Sequence, residues 1–217
     1  ILACFVRDGT AATSLASHKA NYTLTMGAKS QNALVQNVRG KISLELRSEC
    51  DGWYLSEDYL FQFLYESGEE ITILSHSDSW EDSEGQFYSF DVREQNSYEP
   101  ESLYTGFANL PSESDVGEAS YAGTYDDNLL LSHDILFPVK YTRAIIDAAE
   151  MGKKFMSKQL FVNSTPEDAL KTASAAIGNK KPYKSDIQIE GVTTSHYWPI
   201  DIAYFKMDAI KATPEYQ

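Results

Sequence analysis

The sequence predicts a mainly β protein, an antiparallel meander joined to one amphipathic helix. Three observations predict it. Apolar and polar residues alternate with period two in successive runs, tight-turn signals separate those runs, and one stretch carries helical spacing instead. Parallel strands would need helical crossovers, and no helical run fits between these strands. Aromatics make up 12% of the 217 residues, with 14 Tyr and 10 Phe, a surplus suited to pleated, half-buried surfaces. Hydrophobic residues at 42% suffice for a sizeable core, and the length suits one large β domain over 1–217.

The strands follow in order. Residues 22–25 and 39–46 alternate; Ile42, Leu44 and Leu46 point one way, Lys41, Ser43, Glu45 and Arg47 the other. Cys50-Asp51-Gly52 supplies a turn before a long strand over 53–65. Ser67-Gly68-Glu69-Glu70 turns the chain into a strand over 71–79, and Asp82-Ser83-Glu84-Gly85 closes a hairpin with 86–94. Residues 109–117 are polar and read as an exposed loop, and 121–131 as one more strand pair.

Beyond Phe137-Pro138 the texture changes. Ile145, Ile146, Ala148, Ala149 and Met151 fall at helical spacing, Thr142, Asp147 and Glu150 lie opposite, and Gly152-Lys153-Lys154 forms a stop. The helix is expected over 139–154, with its apolar face on the sheet. Short strands are expected at 158–162, 173–177 and 186–192, a loop at 163–169, and an alternating run over 196–206.

Charge and motifs narrow the function. Eighteen Lys and Arg against 32 Asp and Glu give a formal net charge of −14. That field opposes nucleic-acid backbones and anionic lipid surfaces. No apolar run reaches the roughly 20 residues of a membrane span. His18, His76, His133 and His196 form no i, i+4 or HxH pair, and two cysteines are too few for a thiolate metal site. No nucleophile elbow, phosphate-cradling glycine loop or dinucleotide fingerprint is present. No catalytic residue, cofactor or metal is therefore expected. The acidic stretch 78–85 only partly matches a calcium loop and reads as a hairpin turn. Asn163-Ser164-Thr165 fits a glycosylation acceptor, although Pro166 follows at once. Cys50, beside a turn, reads either as a packed thiol or as half of a disulfide in an oxidising compartment. Ile1-Leu2-Ala3-Cys4 is similar to a lipobox.

Several segments together resemble the EipB family, known in alphaproteobacteria. They are 15–22, Arg39-Gly40-Lys41-Ile42, Cys50-Asp51-Gly52-Trp53, Ser79-Trp80-Glu81-Asp82 with 85–90, Ile135-Leu136-Phe137-Pro138 with Thr142-Arg143-Ala144, Leu160-Phe161, and Ala176-Ile177-Gly178. Their order and spacing over most of the chain carry the resemblance. It implies a periplasmic, non-enzymatic protein that helps maintain the cell envelope. It also implies a long curved antiparallel sheet, a β-spiral or open barrel similar to the LolA and LolB lipoprotein carriers. The family's usual C-terminal cysteine, which bridges to the equivalent of Cys50, is absent from this chain, as are the family's last strands. Cys4 is the alternative partner for Cys50.

Three functions follow as expectations. The first is a lipid or other hydrophobic ligand held in the curved sheet, with Trp53, Phe61, Phe63, Phe87 and Ile146 lining the concave face. The second is a scaffold that binds another envelope protein through a sheet edge or the acidic face. The third is a hydrolase in which distant residues, among them His76, His133 and His196, converge in one cleft.

Overall fold

The computed structural model describes residues 15–27, 34–111, 116–183 and 195–207. They divide into two compact units: Ile1–His133 with Asn163–Ala169, and Asp134–Val162 with Leu170–Gln217.

The first unit is an eight-stranded antiparallel meander in which every strand pairs with its sequence neighbours. Its strands are β1 (His18–Thr25), β2 (Val35–Ser48), β3 (Gly52–Tyr65), β4 (Glu70–Asp82), β5 (Phe87–Asn96), β6 (Ser102–Asn109), β7 (Gly117–Gly123) and β8 (Asn128–Leu131). Among the described residues β1 and β8 do not pair, so the sheet stays unclosed. Hairpins set its register. Between β4 and β5, Asp82 Oδ1 accepts the N–H groups of Gln86 (2.6 Å) and Phe87 (2.7 Å), Oδ2 accepts that of Glu84, and Gly85 takes a positive φ of 64°. The carboxylate is thus engaged by backbone donors, as in the hairpin turn that the sequence predicts here.

Because residues directly across a ladder share a face, the register assigns each side chain to one of two surfaces. One surface, the apolar face, carries Tyr22, Ile42, Leu46, Trp53, Phe61, Phe63, Ile71, Ile73, Tyr88, Phe90, Val92, Tyr104 and Tyr121. The opposite face carries Lys41, Asp58, His76, Asp78, Phe87, Arg93, Phe107, Glu118 and Leu130.

The second unit holds the helix α1 (Pro138–Glu150), the strands β9 (Phe155–Phe161), β10 (Leu170–Ile177) and β13 (Ile200–Lys206), and a two-stranded ribbon of β11 (Lys181–Pro182) and β12 (His196–Tyr197). Pro138 opens the helix where a missing N–H costs nothing. It closes in a Schellman motif: Lys153 N–H donates to Ala148 O, Gly152 N–H to Ala149 O, and Gly152 takes φ 75°. The helix therefore ends at Glu150, four residues before the predicted limit, and Phe155 opens a strand. Tyr141 and Ile145 pack with Leu160, Ala173 and Ala175, so the helix covers a three-stranded sheet of its own unit. The eight-stranded meander is the long antiparallel sheet expected, and the second unit adds a three-stranded sheet under the helix. Strands that follow the helix fold straight back onto it, a local closure that needs no partner from elsewhere. Pro199 divides the predicted 196–206 run into β12 and β13. No described helix is long and apolar enough to cross a membrane. The predicted strand over 186–192 lies outside the described residues.

Candidate functional site

The apolar face changes character across the sheet. Over β5–β7, Tyr88, Phe90, Val92, Tyr104, Ala108, Ala119 and Tyr121 are all buried. Phe90 sits with Tyr88 and Tyr121, each at 5.6 Å between ring centroids, and meets Tyr104 edge-on. Gly106, directly across from Phe90, makes that seat possible, since a Cβ there would stand 2.1 Å from Phe90 Cζ. Burial holds the hydroxyls of Tyr88, Tyr104 and Tyr121 well above the ordinary tyrosine range.

Over β1–β4 the same face is half-open. Tyr22 is exposed, and Leu24, Val38, Ile42, Tyr59, Phe61, Phe63, Ile71 and Ile73 are only partly buried. Tyr59, Phe61 and Phe63 form a row along one strand, with ring centroids 5.8 and 6.2 Å apart. Of the predicted lining residues, Trp53, Phe61 and Phe63 share this face, Trp53 buried and the two phenylalanines half-buried. Phe87 does not. It lies across from Asn109 on the opposite face and is 40% exposed, because the Asp82–Gly85 turn fixes the register that turns Tyr88 inward instead. Ile146 is half-buried on α1 in the second unit.

A polar band separates the two halves. Ser77, Ser79 and Glu81 are buried there, and Glu57 accepts a hydrogen bond of 2.7 Å from the Tyr59 hydroxyl. Asn163 Nδ2 donates to Ser77 Oγ at 2.9 Å, and the Tyr121 hydroxyl donates to Ser164 O at 3.1 Å, so segment Asn163–Ala169 straps this band. Burial raises the Glu57 carboxyl above its usual range, against the lowering effect of hydrogen bonds from Tyr59 and Asn163.

The opposite face holds an open groove of about 770 Å³ lined by Lys41, Asp58, Leu60, Leu74, His76 and Arg93. His76 sits between two carboxylates, Nδ1 at 2.8 Å from Asp58 and Nε2 at 3.4 Å from Asp78. The Tyr54 hydroxyl donates to Asp78. The Asp58 hydrogen bond raises the His76 imidazole above its ordinary value, against a lowering by desolvation and with the Asp78 charge adding to the rise. Desolvation pushes Asp78 upward, but hydrogen bonds from Tyr54 and Ser56 and the His76 charge leave it below the usual carboxylate range. His18, His76, His133 and His196 are all exposed, and the described residues contain no group of three or more His, Cys, Asp or Glu side chains fit to hold a metal ion. Cys50 lies in the exposed turn between β2 and β3; Cys4 lies outside the described residues.

Sequence reasoning missed β6 entirely. Its buried face is Tyr104, Gly106 and Ala108, and its exposed face is Leu103, Thr105 and Phe107, so the large apolar residues fall on both sides and the alternation is masked.

The fold is similar to that in a crystal structure of a β-barrel-like protein of a domain of unknown function from Brucella abortus. The TM-score is 0.76 at 21% sequence identity, covering 89% of this chain and 82% of that one. No curated protein matches the chain. The sequence profile of the EipB-like family matches residues 9–217. The chain belongs to the EipB-like family.

Proposed function

We propose that this chain is a non-catalytic periplasmic protein that supports cell-envelope integrity by holding a lipid or other hydrophobic ligand on the open half of the apolar face. Family membership supports the envelope role and the compartment. The observation that carries the ligand is the half-exposed strip of Tyr22, Ile42, Phe61, Phe63, Ile71 and Ile73 on β1–β4. Six large apolar side chains on one continuous surface exceed the scatter expected of an ordinary soluble face. A ligand of acyl-chain character matches them, since binding would replace water contacts without demanding any polar group. The likeness to LolA and LolB belongs to the same reading.

The non-catalytic reading rests on the exposed and scattered histidines; His76 meets the carboxylates of Asp58 and Asp78. In the oxidising periplasm, Cys4 and Cys50 would pair. Intact mass with and without reductant tests that pairing, because a disulfide lacks two hydrogens and an alkylating reagent then labels neither thiol.

The ligand is tested by extracting freshly purified protein with organic solvent and identifying co-purified lipids by mass spectrometry. The expected result is a stoichiometric lipid that Phe61→Ser and Phe63→Ser lose while staying folded, each with a melting temperature lowered by only about 2–4 °C. Lipid-free wild-type protein that also takes up no fatty acid on addition would sink the reading.

A further inference from the structure

We propose that the opposite face of β5–β8 docks a basic segment of a partner protein that carries large apolar side chains. This surface is separate from the apolar face invoked for the ligand and does not depend on it. Phe87 and Phe107 are 40% and 49% exposed and rest against each other with ring centroids 6.3 Å apart. Leu130, 78% exposed, lies on the same face on the edge strand β8, beyond Glu118 and Ser120 of β7. Single exposed apolar residues are ordinary, but two phenylalanines in ring contact on an outward face form a contiguous patch.

The charges around this patch select the partner. On the same face, Asp91 lies two residues beyond Ser89 on β5, and Glu118 lies between Asn109 and Leu130 in the ladder. Both carboxylates are exposed, and neither has an ion-pair partner among the described residues. The face-sharing positions here are Phe87, Ser89 and Asp91, then Thr105, Phe107 and Asn109, then Glu118, Ser120 and Ala122, then Asn128 and Leu130. None is a cation. The same face over β1–β3 is built differently: Lys19 pairs with Glu45 at 2.9 Å, and Arg47 lies 3.8 Å from the same carboxylate. Charge is balanced at one end of this face and left unbalanced around the aromatic pair at the other. A partner that supplies Lys or Arg beside Leu or Phe would complete both the apolar contact and the charge balance, and the net charge of −14 would steer it in. A second copy of this chain would bring the same acids against each other, and an anionic membrane would be repelled.

The probe is a synthetic peptide alternating Lys with Leu, compared with a Lys–Ser peptide of equal length and charge. Binding is measured by fluorescence anisotropy, and the site is mapped by NMR shift changes. The Lys–Leu peptide should bind about tenfold tighter than the Lys–Ser peptide. Phe107→Ser should lose about tenfold in its affinity, as truncation of an aromatic anchor does. Phe61→Ser, on the other face, should bind as the wild type does. Glu118→Lys leaves the aromatic pair intact and decides the matter should Phe107→Ser fail to fold; it should also weaken binding. Equal affinity for the two peptides overturns the proposal, as does indifference to Glu118→Lys. Sedimentation showing a dimer that Phe107→Ser abolishes assigns the patch to a second copy and overturns it too, and so does capture by anionic phospholipid vesicles.

Discussion

Phe90 and Phe61 occupy matching places on one face of the same sheet, each directly across from a glycine: Gly106 for Phe90 and Gly40 for Phe61. Yet Phe90 is sealed and Phe61 is half-open. The difference lies in the neighbours. Phe90 touches aromatics on two other strands, Tyr104 and Tyr121, as well as Tyr88 on its own. The ring contacts of Phe61 run along its own strand, to Tyr59 and Phe63. Aromatics that interlock across strands make a core, whereas a row along one strand makes a surface that something else can cover. One sheet therefore carries a sealed half and a half-open half, divided by the buried polar band at Ser77, Ser79 and Glu81.

Truncation breaks this comparison most directly. Phe90→Ala should destabilise by about 3–5 kcal/mol, the range for a fully buried ring with its cavity. Phe61→Ala should cost roughly 1 kcal/mol, because half-burial returns only part of the transfer free energy. Urea unfolding curves measure both. Equal losses would mean that the β1–β4 strip is ordinary core and has no room for a ligand.

Gly106 sharpens the sealed half. A methyl group there would collide with the Phe90 ring, so Gly106→Ala should cost about 1–3 kcal/mol through overpacking. Combining it with Phe90→Leu, which removes the colliding edge of the ring, should return part of that loss. Additive costs in the double mutant would show that the glycine is needed for some other reason.

Much of the sheet was legible because its signals are local. Asp82 to Gly85 announces its hairpin, and the alternation of Ile42, Leu44 and Leu46 survives as a face of the meander. The helix is legible too, but its expected limit at 154 runs past Gly152, whose positive φ belongs to the motif that ends it at Glu150. What failed depended on register. Phe87, expected on the concave face, lies on the opposite one because the turn that precedes it decides by a single residue which side chains face in, and composition cannot show that choice. β6 escapes because Gly106 stands where the Phe90 ring needs space while Leu103 and Phe107 face outward, so its alternation is masked. The polar strap is subtler still. Asn163 meets Ser77 from 86 residues away, and nothing local at either position signals the contact.

The polar band offers a smaller effect of opposite sign. Its desolvated Glu57 carboxyl titrates above its unfolded value, so the native state holds the proton more tightly. Stability from this group is then greatest in acid and falls as pH rises from the unfolded carboxylate value, about 4.3, through the raised folded one. Glu57→Gln keeps an oxygen for the Tyr59 hydroxyl to donate to and removes the desolvated charge. At neutral pH it should raise the melting temperature by about 2–4 °C if it recovers about 1 kcal/mol. It should also flatten the stability profile above pH 4.3, about where the unfolded carboxyl titrates. A lower melting temperature at pH 7 would indicate that the ionised carboxylate is paid back by the strap.

The smallest expected effect belongs to the opposite face, where charges stay in water. The imidazole of His76 is raised by Asp58 and further by Asp78, while Arg93 stands directly across the ladder as an opposing cation. A raised folded value means that the ion-pair contribution is fully present below the ordinary histidine value, about 6.5, and fades as pH rises through the higher folded one. Because the side chain is about half-exposed, the contribution is screened and should stay below about 1 kcal/mol, shrinking with added salt. His76→Asn should erase that pH dependence while leaving the Phe90→Ala penalty unchanged, since the two groups lie on opposite faces. An NMR titration that finds His76 at or below the ordinary imidazole value would remove the clamp from the account, and with it any pH sensitivity of this groove.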